Sequence, residues 1–483
     1  MNVVDFLFEN TSNLEKYLVL GTKESKSFKV IFEESSKLAT YLRNILGQDK
    51  KILLMSQNSS FFIVAYLGIL KSGNICIPLN PGIEKEGFEF IKEKTKSTIG
   101  FISEIVRDRL QPSIDCITEN ILPDIIKGEF ELLAPEPEFN GNGVAEIIFT
   151  SGSTALPKGV MLSHNNIIAN TGSIVQYLGL SEVDIMMVVL PFYYCYGLSL
   201  LHTHIRVGGS LVLNNNFIFL GSTINDLNKY SCTGFAGVPS HFQIMLRKSN
   251  LFKNTKFTAL RYVTQAGGKL HNTFISEFTE TFPEVQFYVM YGQTEATARL
   301  SYLPPLMLKE KLGSLGRGMP GTELKVVNEQ GHSISPGDTG EILARGKNVM
   351  LGYFGDPEST AAAIRNGWLY TGDLATVDAD GYIYITARKK EIIKVGGKRV
   401  SPKEIEEVIV MMTGVIDCTV VSTEDKLLGE ALKVTVVVND IGKKITSEDL
   451  KQFCGAKLSS YKVPTYVEFK ESMEISLSGK KIN

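Results

Sequence analysis

The sequence contains little cysteine, and the spacing of its cysteines gives no sign of a covalent or metal-bound framework. No C-x-x-C pair occurs and H-E-x-x-H is absent, so neither a zinc site nor a disulfide scaffold has support. The scattered pattern predicts buried thiols in a reducing cytoplasm. The six cysteines are Cys76, Cys116, Cys195, Cys232, Cys418 and Cys454.

Long apolar runs are absent as well. Nowhere do about eighteen uninterrupted apolar residues follow one another, so no transmembrane helix is expected. The first ten residues contain no basic segment, and Asp5 and Glu9 interrupt their apolar residues. We therefore expect no signal peptide, no membrane span and a cytoplasmic location.

Neither sign of charge is in excess. The net charge is −2 and the pI is about 6.4, so no global basic field favours binding to nucleic acid or to an anionic membrane. Apolar content, in contrast, is ample. With 43% hydrophobic and 21% charged residues among 483, the chain is expected to bury a large core and to divide into two or more domains.

Helical and β-rich stretches alternate along the first part of the chain. A helical stretch at residues 61–71 precedes a β-rich run at 74–79, and strands followed by helices predict parallel, doubly wound sheets. From about Gly340, β-rich segments with turn residues predict a small barrel or antiparallel layer. Further β-rich runs lie at residues 188–191, 210–214, 233–238 and 261–266.

The last part of the chain has its own pattern. After a basic stretch that begins at Arg388, helices are predicted at residues 401–411 and 447–458, and strands at 415–422 and 431–439. We therefore expect an α/β fold with an N-terminal core domain over residues 1–387. A small α+β lid domain is expected over residues 388–483.

A loop of small hydroxyl residues follows a short apolar strand predicted at residues 144–149. The loop reads TSGSTALPKG at residues 150–159. The Walker A spacing fails because the residue five after Gly152 is Pro157. Hydroxyls, backbone amides and Lys158 nevertheless suit the oxygens of a polyphosphate. For the loop alone, a flexible surface turn is the alternative.

Four more motifs accompany this loop in order along the chain. They are YGQTEA (291–296), GWLYTGDL (367–374), ARKKEIIKVGGKRVSPKEIE (387–406) and SLSGKKIN (476–483). Together they resemble the AMP-forming, adenylate-forming family of acyl-CoA synthetases, carrier-protein-loading adenylation domains and luciferases, and the resemblance covers nearly the whole chain. It implies that a carboxylate attacks the α-phosphorus of ATP, that pyrophosphate leaves, and that a thiol then takes the acyl group.

Such a reaction joins two anions, so the site needs cations and backbone donors rather than a general base. The resemblance implies that Glu295 binds Mg²⁺ with help from the Thr150 hydroxyl, and that Thr294 donates to the α-phosphate. Asp373 would accept both ribose hydroxyls. The residues implied to bind nucleotide are Thr150, Ser151, Gly152, Ser153, Thr154, Lys158, Ala266, Gly267, Gly268, Tyr291, Gly292, Gln293, Asp373 and Arg388.

The resemblance implies that the end of the chain acts in adenylate formation and that the basic stretch acts in thiol transfer. Lys480, which follows Gly479, matches the lysine that reaches the α-phosphate and the substrate carboxylate in the family. The sequence departs from the pattern at Ala155, where glycine is usual, and lacks the arginine that usually follows the terminal lysine. The lid would rotate about Lys390. The implied residues of the hinge and thiol channel are Lys390, Lys394, Gly396, Gly397 and Arg399.

The segment at residues 190–209 resembles the part of the family that lines the acyl pocket, with Tyr194 at the gate. No carboxylate lies between Pro191 and Arg206, so a partner for an α-ammonium group is missing and a fatty or aryl acid is favoured. His202 and His204, two residues apart, are expected to pack structurally. The candidate pocket residues are Tyr193, Tyr194, Cys195, Tyr196, Val238, His241 and Gly267.

Three functions remain open at this point. The leading hypothesis is an ATP- and Mg²⁺-dependent ligase that joins a carboxylic acid to CoA. The second transfers the acyl group to the phosphopantetheine of an acyl or peptidyl carrier protein, and an amino-acid substrate is not excluded there. The third is a non-catalytic ATP-binding or luciferase-like protein, which the presence of Glu295, Asp373 and Lys480 disfavours.

Overall fold

The computed structural model describes residues 1–21, 24–136, 138–150, 157–395, 398–425 and 429–473. Several predicted site residues lie outside these ranges. They are Ser151, Gly152, Ser153, Thr154, Gly396, Gly397 and Lys480.

The strands form four sheets. In chain order they are β1 (Tyr17–Leu20), β2 (Lys26–Ser27), β3 (Lys51–Met55), β4 (Ile75–Pro78), β5 (Ile99–Ile102), β6 (Asp115–Ile117), β7 (Val144–Thr150), β8 (Lys158–Ser163), β9 (Ile185–Val188), β10 (Ser210–Leu213), β11 (Gly234–Gly237), β12 (Tyr262–Gln265), β13 (Gln286–Tyr291), β14 (Ser301–Leu303), β15 (Arg317–Gly318), β16 (Thr322–Val327), β17 (Gly340–Gly346), β18 (Gly352–Tyr353), β19 (Ile364–Arg365), β20 (Trp368–Val377), β21 (Ile383–Arg388), β22 (Ile393–Val395), β23 (Lys398–Val400), β24 (Val415–Asp425), β25 (Gly429–Val438) and β26 (Tyr466–Lys470).

The helices connect these strands and cover the sheets. They are α1 (Val3–Phe8), α2 (Phe28–Leu46), α3 (Ser60–Lys71), α4 (Lys85–Thr95), α5 (Glu104–Leu110), α6 (Leu122–Ile126), α7 (His164–Leu178), α8 (Cys195–Val207), α9 (Leu220–Lys229), α10 (Pro239–Lys248), α11 (Asn250–Asn254), α12 (Asn272–Thr281), α13 (Pro357–Ala363), α14 (Pro402–Ile409) and α15 (Ser447–Gly455).

The largest sheet has nine strands in the order β15-β14-β13-β12-β11-β9-β10-β1-β2. Its six central strands, from β13 to β1, run parallel, and antiparallel strands complete both edges. Residues of this sheet such as Val188 and Met290 belong to one buried core with residues of α3, α7 and α8. Helices thus pack on parallel strands, as the alternating pattern predicts.

The second sheet has seven strands in the order β18-β8-β7-β4-β3-β5-β6. Its strands from β7 to β6 are parallel, but β7 continues into the antiparallel strand β8, with Thr150 paired to Lys158. The phosphate-loop motif therefore lies between two antiparallel strands, β7 and β8, rather than between a strand and a helix. Leu54 and Ile148 of this sheet join the same core as Val188, so both sheets enclose one set of helices.

Some predicted bounds were wrong in detail. The β-rich run at residues 188–191 is strand β9, which ends at Val188. Pro191 lacks an N–H for a strand ladder, and the chain turns there toward α8. The antiparallel layer predicted from Gly340 begins earlier, at Thr322, and forms the path β16-β17-β20-β19 with β21 beside β20. The structure therefore favours the layer over the barrel.

The C-terminal part is a small α+β unit. Its sheet has the order β23-β22-β25-β24, and β26 lies parallel to β25 after the crossover helix α15. Polar contacts join this unit to the core. Lys269 Nζ of the core lies 2.7 Å from Glu407 Oε2 of the unit, and Gln243 Nε2 of the core donates to Asp417 Oδ1 of the unit at 3.0 Å. The predicted α/β class with a small C-terminal domain is confirmed; the exact boundary at residue 388 stays a prediction.

The helices of the described ranges are also informative about membranes. None of them combines the length and the apolar content that crossing a bilayer requires.

Candidate active site

Asp373 lies at the centre of the first polar cluster. Tyr291, the last residue of β13, donates from its hydroxyl to Asp373 Oδ2 at 2.7 Å. Arg388, opposite Asp373 across β20 and β21, donates from Nε to Oδ1 at 3.0 Å. The carboxylate is 3% exposed, whereas about half of the arginine side chain is exposed. Tyr291, 82 positions before Asp373 in the sequence, therefore meets the neighbouring strands β20 and β21 at one carboxylate.

The electrostatics of this cluster follow from burial and from the Asp373 charge. Burial and the neighbouring carboxylate raise the pKa of Tyr291 well above its ordinary value, so the phenol stays protonated and remains a donor. Burial alone would lower the pKa of Arg388, but the Asp373 charge and hydrogen bond reverse this, and the pKa is raised. The cluster is thus a neutral donor and a permanent cation on one acceptor.

Glu295 lies just beyond Tyr291, in a short 3-10 turn at Thr294–Ala296. Its Oε1 accepts a hydrogen bond of 2.8 Å from the Tyr353 hydroxyl, and its carbonyl accepts from the Met350 amide at 2.9 Å. Burial raises the pKa of Tyr353 well above its ordinary value, and the Glu295 charge adds to this. The strand β18, which contains Tyr353, therefore fixes the carboxylate.

Lys158 meets the other side of Tyr353. Its ammonium lies 5.0 Å from the centre of the Tyr353 ring, 2.5 Å from Ser359 Oγ and 3.8 Å from Asp356 Oδ2. Asp356 caps α13 by accepting from the Ser359 amide, and Pro357 follows at the first helical position. The helix start thus supplies oxygen partners for the lysine.

Tyr353 is a site residue that the sequence analysis did not single out. It bridges the predicted metal-binding carboxylate and the predicted phosphate lysine. The signal lies in GYFGDPEST (352–360), where an aromatic residue precedes an Asp-Pro helix start. Only the tertiary structure shows that this segment reaches Lys158, 195 positions earlier than Tyr353 in the sequence.

Thr150 and the glycine-rich segments complete the nucleotide side. The Thr150 hydroxyl donates to the Lys158 carbonyl at 3.4 Å, across the base of the loop. Gly267 follows β12 with φ +83°, a conformation that favours glycine, and Gln265 donates to the Gly268 carbonyl at 2.8 Å. A Cβ on Gly292 would lie 1.9 Å from the Ala298 carbonyl oxygen, so close backbone packing requires this glycine. Ala266 and Gln293 lie within these same two segments.

The predicted acid-binding residues lie around the starts of α8 and α10. Cys195 Sγ is 3.5 Å from Thr294 Oγ1, so this segment adjoins the turn that holds Glu295. Tyr194 is the N-cap residue of α8, and burial raises the pKa of Tyr193. Val238 is fully buried and its amide donates to His241 Nδ1 at 3.4 Å. The structure thus brings the segment predicted to bind the acid next to the turn predicted to bind the nucleotide.

His241, one of the predicted acid-binding residues, is uncharged. Burial lowers its pKa to about 3, and its ring centre lies 4.2 Å from that of Phe217. It is therefore uncharged at neutral pH and contributes an apolar face with one polar edge.

The basic stretch that would form the hinge and thiol channel lies in the C-terminal unit. Lys390 follows β21 in a turn, and Lys394 pairs with Arg399 across β22 and β23. The Lys394 amide donates to Glu430 Oε2 at 2.8 Å. Their proposed role in thiol transfer remains a prediction.

A further buried polar group lies inside the core. The Tyr66 hydroxyl donates to Glu146 Oε2 at 2.9 Å and lies 2.8 Å from His202 Nε2. Burial raises the pKa of Glu146 to about 7 and lowers that of His202 to about 3. The prediction that His202 and His204 pack structurally agrees with their burial in α8.

No group of three metal-ligating side chains forms within the described ranges. This does not conflict with Mg²⁺ at Glu295, because Mg²⁺ on a nucleotide takes one or two carboxylates and completes its shell with phosphate oxygens and water.

Comparisons with known proteins agree with this geometry. A family profile described as AMP-binding enzyme matches residues 9–354, and one described as AMP-binding enzyme C-terminal domain matches residues 404–480. A long-chain-fatty-acid–CoA ligase of Escherichia coli O157:H7 is 30% identical over 502 residues, covering 95% of this chain and 89% of that protein.

Two solved structures share the fold. An anthranilate CoA ligase, AuaEII, in complex with anthranoyl-AMP superposes with a TM-score of 0.90 at 22% identity, covering 100% of this chain and 95% of that one. The o-succinylbenzoate CoA synthetase (MenE) of Bacillus subtilis in complex with its acyl-adenylate intermediate superposes with a TM-score of 0.86 at 24% identity, covering 99% and 96%.

Proposed function

Because this chain belongs to the AMP-binding enzymes, we propose that it activates a carboxylic acid with ATP and passes the acyl group to the thiol of CoA. Pyrophosphate leaves in the first step and AMP in the second. The acid is proposed to be a fatty or aryl acid without an α-amino group, and the location to be the cytoplasm.

The observation that carries this proposal is that two clusters, each with an acidic and a basic side chain, lie beside each other. Asp373 with Arg388 forms one, and Glu295 with Lys158 around Tyr353 forms the other. Tyr291 and Glu295 belong to the same short segment, and the Arg388 charge acts on Tyr353, so the clusters are neighbours. A ligand that spans a sugar and a charged phosphate chain fits this arrangement.

Each cluster suits a different part of ATP. Asp373 can accept from two ribose hydroxyls because an ionised carboxylate offers about four acceptor positions, of which Tyr291 and Arg388 occupy two. Lys158 and the backbone of the adjoining loop would meet the outer phosphates. Glu295 would hold Mg²⁺, which when bound neutralises phosphate charge.

The acid would attack from the side of α8. Cys195 adjoins Thr294, which would donate to the α-phosphate, so the acid carboxylate and the phosphorus come together at this contact. The chain's role in this step is electrostatic. Its cations and fixed donors reduce the repulsion between two anions and stabilise charge on the phosphoryl oxygens. Lys480 is proposed to complete this set.

Pyrophosphate exchange with a panel of acids tests the first step, and thioester formation with CoA or with a phosphopantetheinylated carrier protein tests the second. We expect exchange with medium-length or aromatic acids, none with glycine or alanine, and thioester formation with CoA. The matched control is Glu323→Gln, which removes an exposed partner of Arg345. If the protein exchanges pyrophosphate with none of the acids, the proposal is refuted. If thioester forms with the carrier protein but not with CoA, the carrier protein is the acceptor.

A further inference from the structure

Arg299 is a buried cation four residues beyond Glu295. The residue is 2% exposed. Its carbonyl accepts hydrogen bonds from Asn348 Nδ2 at 2.8 Å and from Asn170 Nδ2 at 3.3 Å, so the backbone that carries the side chain is fixed from two sides. The guanidinium is permanently charged in proteins.

Among the residues that the structure describes, this cation has no carboxylate partner. Its Cζ lies 3.9 Å from the centre of the Tyr196 ring, Nε is 3.4 Å from Met290 Sδ, and a terminal nitrogen is 3.4 Å from the Ala298 carbonyl. Across the described ranges, no aspartate or glutamate forms an ion pair with it. A buried charge without a counter-ion is costly, and buried charges in proteins are usually paired.

Two other stacked arginines are paired with acids, whereas Arg317 and Arg365, which are exposed, stack on tyrosines without an ion pair in the described ranges. Arg247 stacks on Phe274 and pairs with Glu277 at 2.9 Å. Arg261 likewise stacks on a tyrosine and pairs with Asp184 at 2.7 Å. Both are less buried than Arg299. Of the stacked arginines Arg247, Arg261 and Arg299, the last is therefore the most deeply buried, and within the described ranges it is the one without an ion pair to an acid.

The surroundings of Arg299 have an excess of donors. The Tyr177 hydroxyl donates to Met290 Sδ at 2.9 Å, and Arg299 Nε points to the same sulfur. A thioether is a weak acceptor, so two strong donors converge where an anionic oxygen would bind far better. Burial raises the pKa of Tyr177, and Arg299, which lies close to this phenol and hydrogen-bonds to its oxygen, opposes the rise, so the phenol stays protonated.

The group of side chains around Arg299 lies beside the segment predicted to bind the acid. Met290 and Tyr291 are adjacent in β13 and point to opposite faces of the sheet, so this group lies on the face opposite the Asp373 cluster. Tyr196 adjoins Cys195, which contacts Thr294. Through Tyr196 and Cys195, Arg299 is thus linked to the place where the acid carboxylate is proposed to react.

We propose that Arg299 binds a second anionic group on the acid, so that the substrates are dicarboxylic acids. One carboxylate is activated beside Thr294, and the other pairs with Arg299 and accepts from Tyr177. This inference rests on the proposed function and narrows its substrate class. An acid with an apolar end would leave the buried cation without a counter-ion.

The test compares pyrophosphate exchange for dicarboxylic acids of three to ten carbons and for benzene dicarboxylic acids with that for monocarboxylic acids of the same size. We expect the best dicarboxylic acid to exceed its monocarboxylic counterpart about a hundredfold in kcat/KM, since charge-assisted hydrogen bonds are lost with the latter. In Arg299→Met this preference should vanish while the KM for ATP changes less than threefold. Arg299→Lys should retain part of it, and the control Arg247→Met should retain all of it.

Each outcome has a consequence. A wild-type preference for monocarboxylic acids overturns the proposal without any variant, even if Arg299→Met fails to fold. An equal loss for both acid classes in a folded Arg299→Met assigns the arginine to the fold or to the reacting carboxylate, and also overturns it. Absence of exchange with every acid would refute the proposed function itself, whereas exchange confined to monocarboxylic acids refutes this inference alone.

Discussion

The nucleotide side and the acid side of the candidate active site treat charge differently. On the nucleotide side each charged group has a partner within the chain: Asp373 has Arg388, Glu295 has the Tyr353 hydroxyl, and Lys158 has Ser359 and Asp356. On the acid side Arg299 has a ring, a sulfur and a carbonyl. Paired charges preorganise a site before the ligand binds, whereas an unpaired buried cation leaves its compensation to the ligand.

Glu146 is a third case that clarifies the first two. It is also buried without a cationic partner in the described ranges, but a carboxyl can take up a proton. Burial raises its pKa to about 7, so about half of the Glu146 carboxyls carry a proton at neutral pH and the charge is reduced rather than paired. An arginine cannot do this, so the proposed second carboxylate of the substrate would supply the missing negative charge at Arg299.

The largest effect is expected at Asp373. Asp373→Asn removes the charge opposite Arg388 and one acceptor of ribose hydroxyls, so kcat/KM for ATP in pyrophosphate exchange should fall at least a hundredfold. Asp378→Asn, which breaks a contact to Lys311 elsewhere in the layer, is the matched control. An unchanged kcat/KM in Asp373→Asn would show that the nucleotide binds away from this cluster.

Glu146→Gln tests whether the buried Glu146 carboxyl takes up a proton instead of pairing with a cation. The folded pKa is raised from 4.5 to about 7, so the native state binds the proton more tightly and stability falls as pH rises from 4.5 to about 7. Gln removes this loss, which is worth about 3–4 kcal/mol. The thermal midpoint of the variant relative to wild type should therefore rise between pH 5 and pH 8. A difference that does not change with pH would show that Glu146 is ionised throughout.

Tyr353→Phe tests the preorganised side with a smaller change. The ring remains over Lys158, but the hydroxyl that holds Glu295 is lost, so the apparent affinity for Mg²⁺ and ATP should fall about tenfold. Exchange rates measured against Mg²⁺ at fixed ATP provide the readout. Tyr384→Phe, which removes a hydroxyl near Asp378, is the control. Equal Mg²⁺ dependence in both variants would contradict a role for Tyr353 in orienting Glu295.

The smallest effect is expected at the ion pair between the core and the C-terminal unit. Lys269 and Glu407 remain partly exposed, so Lys269→Gln should cost less than about 1 kcal/mol in stability. It should change the rates of adenylation and thiol transfer by unequal factors of about two to three. The double variant Lys269→Glu with Glu407→Lys restores an ion pair and should recover the wild-type ratio of the two rates. Failure of this swap would show that the contact is incidental.

The sequence motifs predicted which residues lie near one another, but they did not predict the partner of each charged group. Tyr291, Asp373, Arg388, Glu295 and Lys158 converge as expected, since a nucleotide requires its contacts at one place. The strand ending at Val188 and the hairpin after Thr150 were missed, because short apolar runs do not reveal their bounds or their pairing direction.

What the sequence determined by itself is the chemistry: an ordered set of hydroxyl, acidic and basic motifs that a phosphate-bearing ligand needs, and the apolar content for large α/β sheets. What only the tertiary structure decided is the partner of each charge. Tyr353 reaches Lys158, Tyr66 reaches Glu146 and Tyr196 covers Arg299 through contacts between distant segments. Burial and pairing depend on how the sheets and helices pack, because desolvation arises from neighbours in space rather than neighbours in sequence.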